Sequence, residues 1–329
     1  KKAVITGLVL GVVAGLLYFL SLQFSAAPTA SVIVLLVARA VFGGAESFVV
    51  TGALSWGLAL GGPQHAGKVM AWIGTAMYVA LALGAPLGTA IYTTYGFVSL
   101  AAATALISLL TLFWALARRF VPPPAQVRPS FKRVIGAVSL PGTGLALSSL
   151  GFGAITTFIV LLFAGYGWAM GWAAVTVFAT AFVLARLFFS HLADSIGGAK
   201  VALVCAVVEA VGLLIIWLAP WPALAFVGAT VTGFSYSLVY PGFGVEAVHR
   251  APPESRGLAM GAYTAFLDLA LGIANPLLGL VAAGFGLAEV FLFSALIVLG
   301  AAAIAARLLS QKIKEKYDEN RERQYAGLE

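Results

Sequence analysis

The chain has 329 residues, of which 61% are hydrophobic and 9% charged, with a net charge of +7 and a mean hydropathy of +1.02. A water-soluble domain carries about a quarter charged residues, and a chain this apolar would expose more hydrocarbon to water than solubility permits, so lipid is its solvent. The single cysteine, Cys205, excludes a disulfide within the chain and leaves redox compartment undetermined.

Lys1 and Lys2 open the chain with no initiator Met and no signal peptide, which reads as a start inside a longer protein. Apolar stretches follow at 3–22, 32–59, 68–92, 97–117, 143–165, 172–190, 201–219, 223–248, 258–283 and 288–309. Each is close to the 20 or so residues that cross about 30 Å of hydrocarbon as a helix. Backbone in lipid must satisfy its own hydrogen bonds, so these are helices; the alternating short strands of a barrel are not visible. The expected fold is an all-α membrane protein. Four spans occupy 1–117. A cytoplasmic linker, 118–142, follows, holding Pro122-Pro123-Pro124 and five basic residues but no acid. Six spans occupy 143–309, and a mixed-charge tail, helix or coil, fills 310–329.

The charges give the orientation. Lys1, Lys2, Lys68, the basic linker residues Arg118, Arg119, Arg128, Lys132 and Arg133, then Lys200, Arg250, Arg256, Arg307 and the basic tail all fall on one side. The opposite loops, 23–31, 93–96, 166–171, 220–222 and 284–287, hold no Lys or Arg. This is the positive-inside pattern, with both ends of the chain in the cytoplasm. It accounts for the +7 without nucleic acid.

The sequence also repeats. Sliding it along itself lays 67–109 on 257–299, matching Pro86 with Pro276, Gly96 with Gly286, and Ala105-Leu106-Ile107 with Ala295-Leu296-Ile297. Aligned spans run the same way through the membrane, as in transporters built from two parallel halves. Six spans follow the linker and four precede it. Matched halves therefore imply two further spans before Lys1 and a whole protein of twelve.

At this point the chain resembles the major facilitator superfamily. Leu192-Ala193-Asp194-Ser195-Ile196-Gly197-Gly198-Ala199-Lys200 is similar to the family's cytoplasmic loop motif, with Ser190, Ser195 and Gly198 as departures. Lys1-Lys2 would then end the first-half copy. Arg39 followed by Gly43 is similar to the fourth-span Arg pattern. Gly84-Ala85-Pro86-Leu87-Gly88 resembles the fifth-span antiporter motif, departing in its spacing. Longer segments, 151–159, 233–241 and 263–272, look like the YhhS-like permeases grouped with drug and sugar efflux proteins. The resemblance implies a two-half helical bundle in the bacterial inner membrane, a monomer, exchanging protons for a small-molecule substrate.

Ionisable groups inside spans are costly and functional by default. Asp268 lies about ten residues into its span, near mid-membrane at about 1.5 Å per residue, and the resemblance places that span beside the cavity. Low-dielectric surroundings disfavour a charged carboxyl, so Asp268 is either a coupling-proton carrier or a buried Asp hydrogen-bonded between helices. Arg39 and Glu46, two turns apart, are either a structural ion pair or a proton switch. The resemblance implies a gating cluster of Asp194, Arg186, Glu246 and Lys200, with Glu246 meeting Arg186 and Lys200; Asp194 is expected at a helix N-terminus. Glu209 reads as structural. Pro86, Pro241 and Pro276 interrupt helices and permit bends. Tyr236, Tyr240, Tyr263 and Phe266 either line the cavity or pack in the core.

His65, His191 and His249 have no ligand-spaced partners, so no metal is expected. No phosphate-cradling Gly-rich motif points to ATP, and no nucleophile–base arrangement points to an enzyme; no cofactor is implied. The expected function is proton-coupled export by alternating access. The nearest rival is a symporter importing a sugar or metabolite. A channel or membrane-embedded enzyme is the rival of another class.

Overall fold

The computed structural model describes residues 1–24, 26–61, 66–118, 131–251 and 256–326. Through them run α1 (Lys2–Gln23), α2 (Pro28–Gly61), α3 (Ala66–Tyr95), α4 (Phe97–Leu116), α5 (Phe131–Gly165), α6 (Gly171–Phe189), α7 (Leu192–Ser195), α8 (Gly198–Trp217), α9 (Pro222–Arg250), α10 (Arg256–Phe285) and α11 (Leu287–Ala326). There is no strand among the described residues. Ten of the helices are long and apolar enough to cross a membrane; α7 is a single turn.

Two boundaries differ from the hydropathy reading. Helix α5 begins at Phe131, so the second half of the expected linker is helical, with Pro141 inside the helix. Hydropathy marks where lipid ends, not where helix does, and 131–140 contains no proline to stop the chain from winding. Likewise α11 continues past its apolar part to Ala326, because the tail is rich in Lys, Glu, Arg and Gln and holds no Gly or Pro before its end. Pro122, Pro123, Pro124, Arg119 and Arg128 of the linker, and His65, lie outside the described residues.

The chain forms two compact units, Lys1–Ala80 with Pro86–Gln126, and Leu81–Ala85 with Val127–Glu329. In the first, α1 packs along α2 and α4. Water cannot drive apolar helices together inside lipid, so contact relies on close van der Waals approach at small residues. A Cβ added to Gly7 would lie 2.6 Å from the Ala45 carbonyl oxygen, and one on Gly15 2.6 Å from the Ala105 nitrogen. The other faces of α2 are open: Leu36 is 65% exposed, and Gly43 has nothing within 4 Å of its missing Cβ.

In the second unit α9 is central, packed on α8, α6 and α5, while α5 also contacts α10 and α11. Glycine again sets the spacing. A Cβ on Gly212 would lie 2.8 Å from the Thr232 nitrogen, and one on Gly233 would meet the backbone of Phe178 on α6. The outer faces are greasy, with Leu187 62%, Phe188 66% and Leu280 70% exposed.

The repeat is visible in the backbone. Pro86 lies inside α3 and Pro276 inside α10. Gly96, between α3 and α4, has φ 74°, and Gly286, between α10 and α11, has φ 120°. Both turns use backbone that L side chains rarely adopt. The matched loop glycines are therefore kept by conformation.

Candidate functional site

In the first unit, Gly7, Leu8 and Gly11 of α1, Phe42, Ala45, Glu46 and Val49 of α2, and Ser108 of α4 line an open groove of about 300 Å³. Glu46 is its one ionisable group. Arg39 does not pair with it. Seven residues separate them, about 10 Å along a helix, and the Arg39 guanidinium lies instead over the ring of Phe42, 5.8 Å from its centroid. The structural ion pair between Arg39 and Glu46 is thus absent, and both side chains are exposed.

Asp268 stands near the middle of α10 on an exposed face, next to Leu269, which is 63% exposed. It has no hydrogen bond or ion pair among the described residues. The reading of Asp268 as a buried acid hydrogen-bonded between helices therefore does not describe it.

The residues expected to gate are arranged differently from the sequence expectation. Glu246, 5% exposed near the end of α9, accepts a hydrogen bond from the Ala199 backbone N–H at 3.0 Å. It thereby occupies the N-terminus of α8, where a carboxylate satisfies an orphan donor and complements the helix dipole. The same oxygen is 3.5 Å from Lys312 Nζ on the extension of α11. Neither Arg186 nor Lys200 forms an ion pair with it among the described residues. Arg186 lies over Phe182 at 5.5 Å and Tyr240 at 5.7 Å, and Lys200 is exposed. Asp194 is exposed in the first turn of α7, as expected of it, and Glu246 supplies the carboxylate at the N-terminus of α8. Arg250 of α9 donates to Gln311 at 2.7 Å, a second tie to the α11 extension.

These contacts give graded expectations. Glu246→Ala strands a buried N–H and removes a charged acceptor, at a cost of about 2 kcal/mol. Lys312→Gln removes only the half-exposed partner and costs about 0.5 kcal/mol. Thermal unfolding in detergent checks the order; equal losses would contradict it.

Two of the four aromatic candidates are interior. Tyr263 is 0% and Tyr236 2% exposed, so neither faces an open cavity. Tyr236 stacks on Phe152 of α5 at 5.5 Å and lies 3.3 Å from the Ser149 hydroxyl. The Tyr263 hydroxyl donates to the Tyr240 carbonyl at 2.7 Å. Phe266 fills the space left by Gly142 on α5. Tyr240 is partly exposed. Pro86, Pro241 and Pro276 are all inside helices, as is Pro141, which hydropathy alone assigned to a loop. Glu209, fully buried on α8, accepts a hydrogen bond from Ser148 of α5, and Gly151 leaves room for its other oxygen.

The geometry is that of a helical membrane bundle in which two acids, Glu46 and Asp268, stand exposed in mid-span. Comparison with known proteins supplies the lineage. Residues 142–325 match the Major Facilitator Superfamily. The chain is also 42% identical over 316 residues to an uncharacterised MFS-type transporter of Burkholderia pseudomallei (strain 1106a), covering 95% of this chain and 77% of that one. The chain belongs to the Major Facilitator Superfamily. An uncharacterised MFS-type transporter of Pseudomonas aeruginosa (strain LESB58) is 43% identical over 310 residues, covering 94% of this chain and 77% of that relative. Among solved structures, the Escherichia coli fucose:proton symporter FucP aligns with a TM-score of 0.63 at 15% identity, over 94% of this chain and 83% of that one. The human organic anion transporter MFSD10 aligns with a TM-score of 0.59 at 15% identity, over 92% and 80%. At that identity these two establish the fold alone. The chain is a multi-pass membrane transporter; its relatives are transporters, not enzymes.

Proposed function

We propose that this Major Facilitator Superfamily chain moves a small solute out of the cytoplasm in exchange for protons, by alternating access in the bacterial inner membrane, with both its ends cytoplasmic. One observation carries the coupling: Asp268 sits exposed in the middle of a membrane-spanning helix, without a polar partner among the described residues. A carboxyl facing acyl chains there would cost several kcal/mol, so the face of α10 that bears it borders an aqueous path. Glu46, on its groove, is a second proton site, and Arg39 tunes it through the local field. Tyr240 and Phe266 stand at the edge of the path. Asp194, Arg186, Glu246 and Lys200 belong to the gate on the cytoplasmic side, through contacts that change as it opens.

The open faces of the first unit support two further helices in the whole transporter. In the second unit α5 sits against α9 and α11, and α6 covers Gly233. The shift that overlays the repeat lays Gly43 on Gly233, and Gly43 is bare. Helices equivalent to α5 and α6 would fill the groove at Glu46 and cover Gly43. That arrangement fits a YhhS-like permease acting as a monomer.

The test is reconstitution in proteoliposomes with an imposed pH gradient, screened against a panel of drugs, sugars and metabolites. The expected result is saturable, solute-triggered proton movement with solute and proton travelling in opposite directions. Co-directional movement would support import by symport, a reading favoured by the altered spacing of Gly84-Ala85-Pro86-Leu87-Gly88. Non-saturating flux would indicate a channel and overturn both.

A further inference from the structure

Helix α9 is weakened over one turn. Pro241 lacks the N–H that would bond the Ser237 carbonyl. The Ser237 hydroxyl is buried and also has no partner among the described residues. Gly242 and Gly244 follow, two residues of low helix propensity. Proline with nearby glycine is where helices bend.

Immediately before this proline, Tyr240 is held to α10 twice. The Tyr263 hydroxyl donates to its carbonyl at 2.7 Å. Its own hydroxyl lies 3.1 Å from the Thr264 oxygen. Thr264 spends its one proton on the Met260 carbonyl at 3.0 Å, so Tyr240 is the donor in that pair. The two rings stack obliquely at 5.3 Å, and Gly244 leaves room for the Tyr263 ring, 3.6 Å from the site of its missing Cβ. Otherwise α10 packs mainly on α5 and touches α9 little.

We propose that Tyr263 is a positioning residue for transport: its hydroxyl ties the Pro241 hinge of α9 to α10, so that a shift of the helix bearing Asp268 is passed to the arm of α9 bearing Glu246. This rests on the alternating-access reading for its use, but the tether itself is testable without any solute. Transmission needs a two-state element that both sites bias. The proline hinge is that element, and the tyrosine pair is the link.

The experiment is pulsed dipolar EPR on the full chain in proteoliposomes, in a Cys205→Ala background. One nitroxide pair reports the arm beyond the hinge, at His249→Cys, which is exposed, and Gly261→Cys, where a Cβ meets nothing within 4 Å. A control pair on the other ends of the same helices uses Val227→Cys and Leu280→Cys, 50% and 70% exposed. Tyr263→Phe keeps the ring and deletes only the hydroxyl. It is expected to widen the His249–Gly261 distance distribution about twofold, as a released hinge does, and to leave the control pair unchanged. Pro241→Ala restores the missing N–H and is expected to suppress that widening in the double variant. An unchanged first pair overturns the proposal, as does widening of both pairs, which is general loosening. Widening that persists in the Pro241→Ala background overturns it too, because the tether then does not act on the hinge. A chain that moves no solute in the reconstitution screen would remove the transport reading and leave these distances to decide the tether.

Discussion

Asp268→Asn is expected to abolish transport driven by a pH gradient, by about 100-fold in initial rate, toward the upper end of measured coupling energies. Asparagine keeps the size and polarity of the side chain and cannot take up or release a proton. Asp268 has no partner to lose among the described residues, so stability should move by less than about 0.5 kcal/mol. Exchange of solute across vesicles without a gradient should persist, since only the proton's part is removed. Counterflow measured beside gradient-driven flux separates the two. An Asn variant that still follows the gradient at the original rate would end the assignment of Asp268 as proton carrier.

A second large effect is expected from adding one methyl group. Gly233→Ala would place a Cβ 2.9 Å from the Phe178 carbonyl carbon and 3.0 Å from its Cα, against backbone that has no flexible end to swing away. Helices α6 and α9 must then part along their whole contact, at a cost of about 3 kcal/mol. Gly43→Ala is the matched control. In this chain its Cβ meets nothing, and alanine suits a helix better than glycine by up to about 1 kcal/mol. Thermal unfolding of the two variants should therefore move in opposite directions. If a longer form of the protein with two more helices made Gly43→Ala as damaging as Gly233→Ala, the covering of Gly43 would be demonstrated directly.

The sequence exposed the bundle readily and the contacts poorly, for a physical reason. Crossing lipid demands length and apolarity, which are properties of a single helix, so all ten spans could be located. Asp268 stood out likewise, as a charge interrupting an apolar run. Contacts depend on which face of each helix turns inward, and lipid removes that signal. A span is apolar on every face, so Tyr236 and Tyr263, packed inside, look no different from Leu280, which faces outward. Glu246 was expected to meet Arg186 and Lys200 because they are near in the loop motif. Its charged partner, Lys312, belongs to a helix extension beyond the apolar run, which hydropathy ends at about residue 309. Noting that 310–326 continues α11 without Gly or Pro would have brought Lys312 into consideration. For Arg39 and Glu46 only the ion-pair alternative falls: two helical turns share a face but exceed the reach of the pair, and the nearer Phe42 takes the guanidinium.

Glu209 and Ser148 carry a mechanical consequence. Their contact pins α8 to α5 like a peg in a slot, with Gly151 cut away to admit the head of the peg. Sliding either helix by one turn would drag the carboxyl away from Ser148 and toward hydrocarbon. Register between these two helices is thus favoured, and under the proposed alternating access they travel as a single strut.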